Sequence, residues 1–139
     1  MTMQVQRRGD DHHDWSIYRG EGRVGVEWYF RETSALPASV MLYHLEPGAE
    51  EGEHLHLEGD DDSCSPDSQD ELYLVVSGEV VMTVDGERTV LRSGDAAYVP
   101  AGPHHGVKNE SDSPAELVLL FGQPDPGRVA PPADAKTAH

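Results

Sequence analysis

Short apolar segments separated by polar turns run through the middle of the chain. Several of them alternate between apolar and polar positions, as half-buried strands do. One or two strands are predicted within residues 15–31, and further strands at 38–45, 72–76, 79–84, 87–91, 96–99, 106–108 and 115–121. Asp85 and Gly86 lie between two of these segments and are a strong signal for a two-residue hairpin turn. Since no clear amphipathic helix accompanies these strands, the pattern predicts an all-β sandwich or barrel.

The polar ends of the chain suggest where the folded domain begins and ends. Residues 1–14 are predicted to form a flexible N-terminal segment, and residues 15–122 a single β-barrel domain. Within the barrel, residues 58–70 form an acidic insert. Residues 123–139 are rich in Pro, Ala and Gly and are predicted to be a disordered tail. A chain of 139 residues is long enough for one domain with a real core.

Charge and cysteine content narrow the range of partners and compartments. The chain has 10 Lys and Arg against 26 Asp and Glu, which gives a formal net charge of −16. Phosphate groups attract Lys and Arg, so we expect neither nucleic acid nor an anionic membrane as a partner. The single cysteine, Cys64, leaves no internal disulfide framework and fits a reducing cytoplasm. The first residues show no signal-peptide pattern, and a cytoplasmic location is expected.

Two glycine-framed segments contain the candidate chemistry. The first begins at Gly48 with GAEEGEHLHLEG and places His54 and His56 two residues apart, where both side chains can share one face of a strand. It resumes at Glu71 in ELYLVVSG. The second segment, GDAAYVPAGPHHGVKN, contains His105. Imidazole and carboxylate groups suit zinc, iron, nickel or manganese, and three His with one Glu would leave open positions for chemistry.

These segments resemble the two motifs of the cupin family, G-x5-H-x-H-x(3–4)-E-x6-G and G-x5-P-x-G-x2-H-x3-N. The second motif matches at every framed position from Gly94 to Asn109. In the first, the stretch between His56 and Glu71 is much longer than the family pattern, and its additional residues read EGDDDSCSPDSQD. The resemblance spans residues 40 to 121 and implies a single-domain cupin-type jelly-roll β-barrel with one divalent metal ion inside it. The ligands that it implies are His54, His56, Glu71 and His105.

Three further residues near the motifs are candidates for the site. If the strand starts early, Gln69 shares the face of Glu71, where its amide oxygen would join the metal or orient a substrate; otherwise it is an ordinary loop residue. Tyr73 shares the same face and would donate a proton or hydrogen bond inside the barrel, or else be a buried core tyrosine. We therefore take Tyr73 and Gln69 as candidate catalytic residues. His44 is either an additional imidazole in the cavity or a surface histidine on the opposite face.

Among cupins, the chain is similar to the small single-domain cyclases of bacterial aromatic polyketide pathways, of the resistomycin cyclase type. This resemblance implies an enzyme that uses a divalent metal, with zinc favoured, as a Lewis acid toward a carbonyl of a poly-β-ketone chain. The barrel would hold the chain so that a methylene carbanion reaches that carbonyl and closes a ring. The alternatives are a non-haem iron dioxygenase, a metal-dependent sugar or keto-acid isomerase, and a non-enzymatic small-molecule-binding module.

The expected partners follow from the same resemblance. A cyclase of this type would act on a small organic substrate, such as a polyketide. The resemblance also implies a homodimer, because barrels of this kind often pair through their sheets.

Overall fold

The computed structural model describes residues 3–55 and 69–122, and within these ranges every regular element is a β-strand. The strands are β1 (His12–Trp15), β2 (Val24–Tyr29), β3 (Ser39–Leu45), β4 (Glu50–His54), β5 (Asp70–Ser77), β6 (Glu79–Val84), β7 (Glu87–Arg92), β8 (Ala96–Val99), β9 (His105–Lys108) and β10 (Ala115–Gly122). In the part of the chain described, no helix has the length and apolar character needed to cross a membrane.

The strands form two antiparallel sheets. The larger sheet has the order β1-β2-β3-β10-β5-β8, and the smaller sheet has the order β4-β9-β6-β7. Some strands that are neighbours in a sheet, such as β3 and β10, are distant in sequence, because the chain crosses between the two sheets. This arrangement is a jelly-roll barrel, and the predicted all-β fold class is confirmed.

The core lies between the sheets and follows from side-chain alternation. In β5, Glu71, Tyr73 and Val75 are buried, and the residues between them are half-buried. Alternate residues of a strand point to opposite faces, so these three side chains face the barrel interior. The apolar core joins both sheets and includes Val24, Val26, Met41, Leu45, Val80, Met82, Leu91, Val107, Leu117 and Leu119. The Asp85-Gly86 hairpin turn also forms as predicted, with positive φ angles of 47° and 83°.

The start of the barrel differs from the prediction. Strand β1 begins at His12 and pairs with β2, so residues 12–14 belong to the sheet rather than to a flexible segment. The side chains of β1 are mostly polar, and this is why the apolar pattern missed the strand. Contacts between side chains hold it instead: His12 contacts Glu27, and Trp15 packs against Trp28. His56, Cys64, residues 58–68 of the acidic insert and the predicted tail at 123–139 lie outside the described residues.

Candidate metal centre

Four buried side chains from three strands meet inside the barrel: Glu51 and His54 of β4, Glu71 of β5 and His105 of β9. Glu51 and His54 are three residues apart, and in a regular strand such residues point to opposite faces. The pairing of β4 with β9 is irregular between them, and this bulge turns both side chains inward. Gly106 of β9 lies against the bulge, where a Cβ atom would come within 2.8 Å of the Glu51 carbonyl oxygen.

The ligand atoms of these four residues are close enough to share one ion. One nitrogen or carboxylate oxygen from each residue lies within 4.8 Å of all the others. Nε2 of His105 is 3.4 Å from Oε1 of Glu71, and Nε2 of His54 is 3.8 Å from the same oxygen. Nε2 of His54 is also 3.9 Å from Oε1 of Glu51. None of the four is more than 6% exposed, so water screens their charges weakly.

The two imidazole rings are oriented in the same way by the backbone. Nδ1 of His54 lies 2.7 Å from the carbonyl oxygen of Gly52, and Nδ1 of His105 lies 3.2 Å from that of Pro103. A carbonyl can only accept, so each Nδ1 carries the proton and donates it. The lone pair of each neutral ring is therefore on Nε2, the nitrogen that faces Glu71. Hydrogen bonding of the distal ring nitrogen is a regular feature of metal-binding histidines.

Two tyrosines hold the carboxylates in place. The Tyr43 hydroxyl donates to Oε2 of Glu51 at 2.7 Å. The Tyr73 hydroxyl lies 2.6 Å from Oε1 of Glu51 and 2.5 Å from Oε2 of Glu71, between the two carboxylates. Tyr73 is fully buried beneath them, which matches the predicted position inside the barrel near the ligands. Its predicted catalytic role stays a prediction.

Burial and neighbouring charges shift the pKa values of this cluster. Burial raises the pKa of Glu51 and the charge of Glu71 adds to this effect, whereas His54 and the two tyrosine hydroxyls oppose it. Burial lowers the pKa of His105, but its contact with Glu71 outweighs burial and the pKa lies above its usual value. Burial and the charge of Glu51 raise the pKa of both Tyr43 and Tyr73 well above the usual range. Both phenols therefore keep their protons at neutral pH.

The donor set fits a divalent metal ion. Two carboxylates side by side in a buried site are costly unless protons or a cation balance their charge. Two imidazole nitrogens and two carboxylates are borderline ligands that suit zinc, iron, nickel or manganese. The cluster can therefore hold a metal ion through His54, Glu71 and His105, with Glu51 as an additional donor.

A cavity of about 70 Å³ opens onto the cluster. Its wall includes Glu51, His54 and Glu71 together with Tyr18, Met41, Tyr43, Gln69, Leu119 and Phe121. Gln69 directly precedes β5, which begins at Asp70 and therefore does not include it, and Gln69 lines the cavity together with Glu71. Whether Gln69 contacts a metal or a substrate stays a prediction.

His44 does not reach the cluster, so the prediction that it is an additional ligand is wrong. Tyr43 of the same strand points inward to Glu51, so His44 points to the outer face of the large sheet. There its ring contacts Glu46 and Glu116 at 3.0 and 3.1 Å. It lines a groove of about 790 Å³ that is larger than the barrel cavity. Some charged side chains in that groove pair with one another, as His12 does with Glu27 and His44 with Glu46.

Three residues of the site were missed from the sequence: Glu51, Tyr18 and Tyr43. Glu51 lies inside the glycine-framed segment, but only the bulge brings it to the face of His54. Tyr18 stacks on the His54 ring with centroids 3.7 Å apart, although it lies far from both motifs in sequence. Gly52, next to the bulge, is the one signal in the segment that would have indicated a break in alternation. His56 lies outside the described residues and stays a predicted ligand.

Residues 41–121 match the family model described as Cupin domain. An uncharacterized protein of Streptomyces coelicolor is 42% identical over 87 residues, which are 63% of this chain and 71% of that protein. The tetracenomycin polyketide synthase protein TcmJ of Streptomyces glaucescens is 33% identical over 97 residues, 66% of this chain and 58% of TcmJ. The match thus spans less than two thirds of TcmJ.

Solved structures share the fold. The structure of a predicted oxalate decarboxylase from Thermotoga maritima superposes with a TM-score of 0.73, covering 88% of this chain and 100% of that chain. The sequences are 22% identical, so this similarity concerns the fold alone.

Proposed function

Because the chain belongs to the cupin domain family, we propose that it is a metal-dependent enzyme whose reactive centre is the barrel cavity. The observation that carries this proposal is the buried cluster of two histidines and two glutamates. His54, Glu71 and His105 would hold the ion, His56 is expected to join them, and Glu51 is a further donor. Zinc is favoured for the chemistry proposed below, with iron, nickel or manganese as alternatives.

We propose that the reaction is an intramolecular ring closure of a polyketide. When bound, a divalent ion would supply Lewis acidity toward a carbonyl oxygen of the substrate. Similarity to TcmJ, a tetracenomycin polyketide synthase protein, supports this substrate class. The apolar walls formed by Met41, Leu119 and Phe121 would exclude water from the reacting carbons.

The residues of the chain have distinct proposed parts in this reaction. Ring closure needs a base for the methylene proton. Because Glu71 would hold the ion, the carboxylate of Glu51, which also lines the cavity, would take this proton when it is not itself bound to the ion. Tyr73 holds its proton at the hydroxyl between these carboxylates and fixes their positions. Gln69 lines the cavity, and we propose that its amide would orient a substrate carbonyl or hydroxyl.

The size of the cavity limits how a polyketide would bind. A volume of about 70 Å³ holds the reacting end of a chain but not a whole polyketide. We therefore propose that only the reacting carbonyl and its neighbouring methylene enter the cavity, and that the rest of the substrate lies across its mouth.

The experiment that tests this proposal uses a synthetic poly-β-ketone thioester and follows products by mass spectrometry. Chelator-treated protein is compared with protein reloaded with zinc, iron(II) or manganese, with and without oxygen. We expect a cyclised product that has lost water, formed only by metal-loaded protein and without oxygen uptake. Substrate-dependent oxygen uptake would instead support the dioxygenase. Equal activity of metal-free and metal-loaded protein would contradict the proposal.

A further inference from the structure

The chain between β1 and β2 turns in a conformation that side chains disfavour. Tyr18 and Arg19 have φ angles of 50° and 59°, and the amide of Gly20 donates to the carbonyl of Ile17 at 3.0 Å. Positive φ at both central residues is typical of a type I′ turn, which Asn and Gly usually occupy. Strained backbone of this kind persists only where its surroundings hold it, and it is concentrated at functional sites.

The turn is held by the same bulge that brings Glu51 and His54 together. The amide of Gly52 donates to the carbonyl of Ile17 at 3.0 Å. A Cβ atom at Gly52 would lie 2.0 Å from the carbonyl oxygen of Tyr18, and one at Gly20 would lie 2.3 Å from that of Glu50. Only glycine fits at either position, because the two backbones touch. The turn therefore packs directly on the segment that carries two of the four cluster residues.

His54 is held by this assembly at two places. The ring of Tyr18 stacks on its imidazole with centroids 3.7 Å apart and planes inclined by 24°. The carbonyl of Gly52 accepts the hydrogen bond from its Nδ1 at 2.7 Å. The stacking contact with Tyr18 fixes the plane of the His54 ring, and the hydrogen bond to Gly52 fixes the rotation of the ring within that plane. Together they direct Nε2 toward Glu71.

We propose that the turn from Ile17 to Gly20 is a positioning element for His54, and that Tyr18 is its positioning residue. This inference rests on the proposed metal site and extends it to a part of the chain outside both glycine-framed segments. Tyr18 is 41% exposed and also lines the cavity, so its ring covers His54 from the solvent side. Loss of the ring would leave the ligand in place but let the imidazole tilt.

The test compares four variants at the turn for metal affinity and for the ligand field of bound cobalt(II). Tyr18→Ala is expected to weaken affinity about tenfold, the lower end of the effect usual for residues that orient a ligand. It is also expected to change the visible absorption spectrum of the cobalt(II) protein. Tyr18→Phe keeps the ring and should match the wild type in both readouts. Arg19→Ala changes the other central residue of the same turn and serves as the matched control.

A chelator competition titration gives the affinities, and thermal unfolding of the metal-free proteins shows whether each variant is folded. Tyr18→Leu fills the same space without an aromatic ring, and it decides the question if Tyr18→Ala does not fold. If a folded Tyr18→Ala or Tyr18→Leu variant had the affinity and the spectrum of the wild type, this inference would be overturned, but the proposed metal site would not. A wild-type protein that binds no cobalt(II) or zinc would overturn both.

Discussion

Nε2 of His105 lies 3.4 Å from Oε1 of Glu71, although the two residues belong to different sheets. The contact spans the barrel interior, so the site exists only when both sheets have assembled. A ligand that binds only the folded state stabilises it increasingly as the ligand concentration rises above its Kd, and an ion bound here would do so. The fold and the candidate metal centre are therefore coupled through this pair.

Glu51 is expected to contribute to metal affinity. Glu51→Gln keeps the shape of the side chain but removes a negative charge beside the ion, and its amide nitrogen no longer accepts from one of the two tyrosine hydroxyls, Tyr43 or Tyr73. We expect about tenfold weaker affinity for zinc, measured by chelator competition. Glu53→Gln removes the same charge from an exposed position of the same strand and should leave the affinity unchanged. Equal affinities of the two variants would remove Glu51 from the donor set.

How far the sequence predicted the site depends on strand regularity. Glu71 and Tyr73 lie on the inner face as predicted, because alternation in β5 is regular and glycine marks its end. The place of Glu51 in the site was not predictable. Regular alternation would put its side chain on the other face of the strand from His54, and only a bulge brings both side chains to the same face. His44 was ambiguous because its strand has apolar residues on both faces. One face packs in the core, and the other lies on the outer surface of the sheet.

The N-terminal part of the barrel was missed for a different reason. Strand β1 has mainly polar side chains and is held by pairs such as His12 with Glu27. The turn that brings Tyr18 to His54 uses residues that rarely adopt this backbone, so turn signals did not reveal it. Both features depend on tertiary contacts, which a local pattern does not contain.

Gln69 is expected to act on the substrate rather than on the metal. Gln69→Ala should raise KM for the poly-β-ketone thioester several-fold while metal content stays at the wild-type level. The reason is that Gln69 lines the cavity, where its amide would hydrogen-bond the substrate. Gln4→Ala changes an exposed glutamine outside the cavity and is the matched control. Loss of metal from the Gln69 variant would show that Gln69 is a ligand instead. If neither KM nor metal content changed, Gln69 would be an ordinary loop residue.

His44 is expected to titrate above its usual range. The hydrogen bond to Glu46 raises the pKa of His44. Partial burial lowers this pKa, but a second hydrogen bond, to Glu116, raises it again, and the net result is a pKa above 6.5. A raised pKa means that the folded state favours the charged ring. The resulting stability is fully present below the pKa of the unfolded chain and is lost as the pH rises through the folded pKa.

An NMR titration of the His44 ring protons measures this pKa directly. Glu46→Gln should lower the pKa of His44, whereas Glu32→Gln, in the loop after β2, should leave it unchanged. The stability difference between Glu46→Gln and the wild type should shrink as the pH rises past the folded pKa of His44. A pKa of His44 at or below 6.5 in the wild type would show that these contacts do not persist in solution.

The outer face of the large sheet is where the expected homodimer would form. Partly exposed apolar side chains lie on this face in β3, β10 and β5: Val40, Leu72, Leu74, Val118 and Leu120. At its border, Val76 is 43% exposed, and a contiguous apolar surface of this kind commonly marks an interface. We expect a dimer by light scattering and its dissociation in Val76→Lys. Val90→Lys, at a 41% exposed valine of the small sheet, is the control. A monomeric wild type, or dissociation caused only by the control, would contradict this.

The most direct test of the central claim is the metal content of protein purified without added metal, measured by elemental analysis for the wild type and two neighbouring variants. His105 is buried and faces Glu71, whereas His104 precedes it and is exposed. We predict one equivalent of a divalent metal, with zinc favoured, in the wild type and in His104→Ala, and its loss in His105→Ala with the barrel still folded. Full metal content in His105→Ala, or a wild type that neither contains nor takes up a divalent ion, would contradict the account.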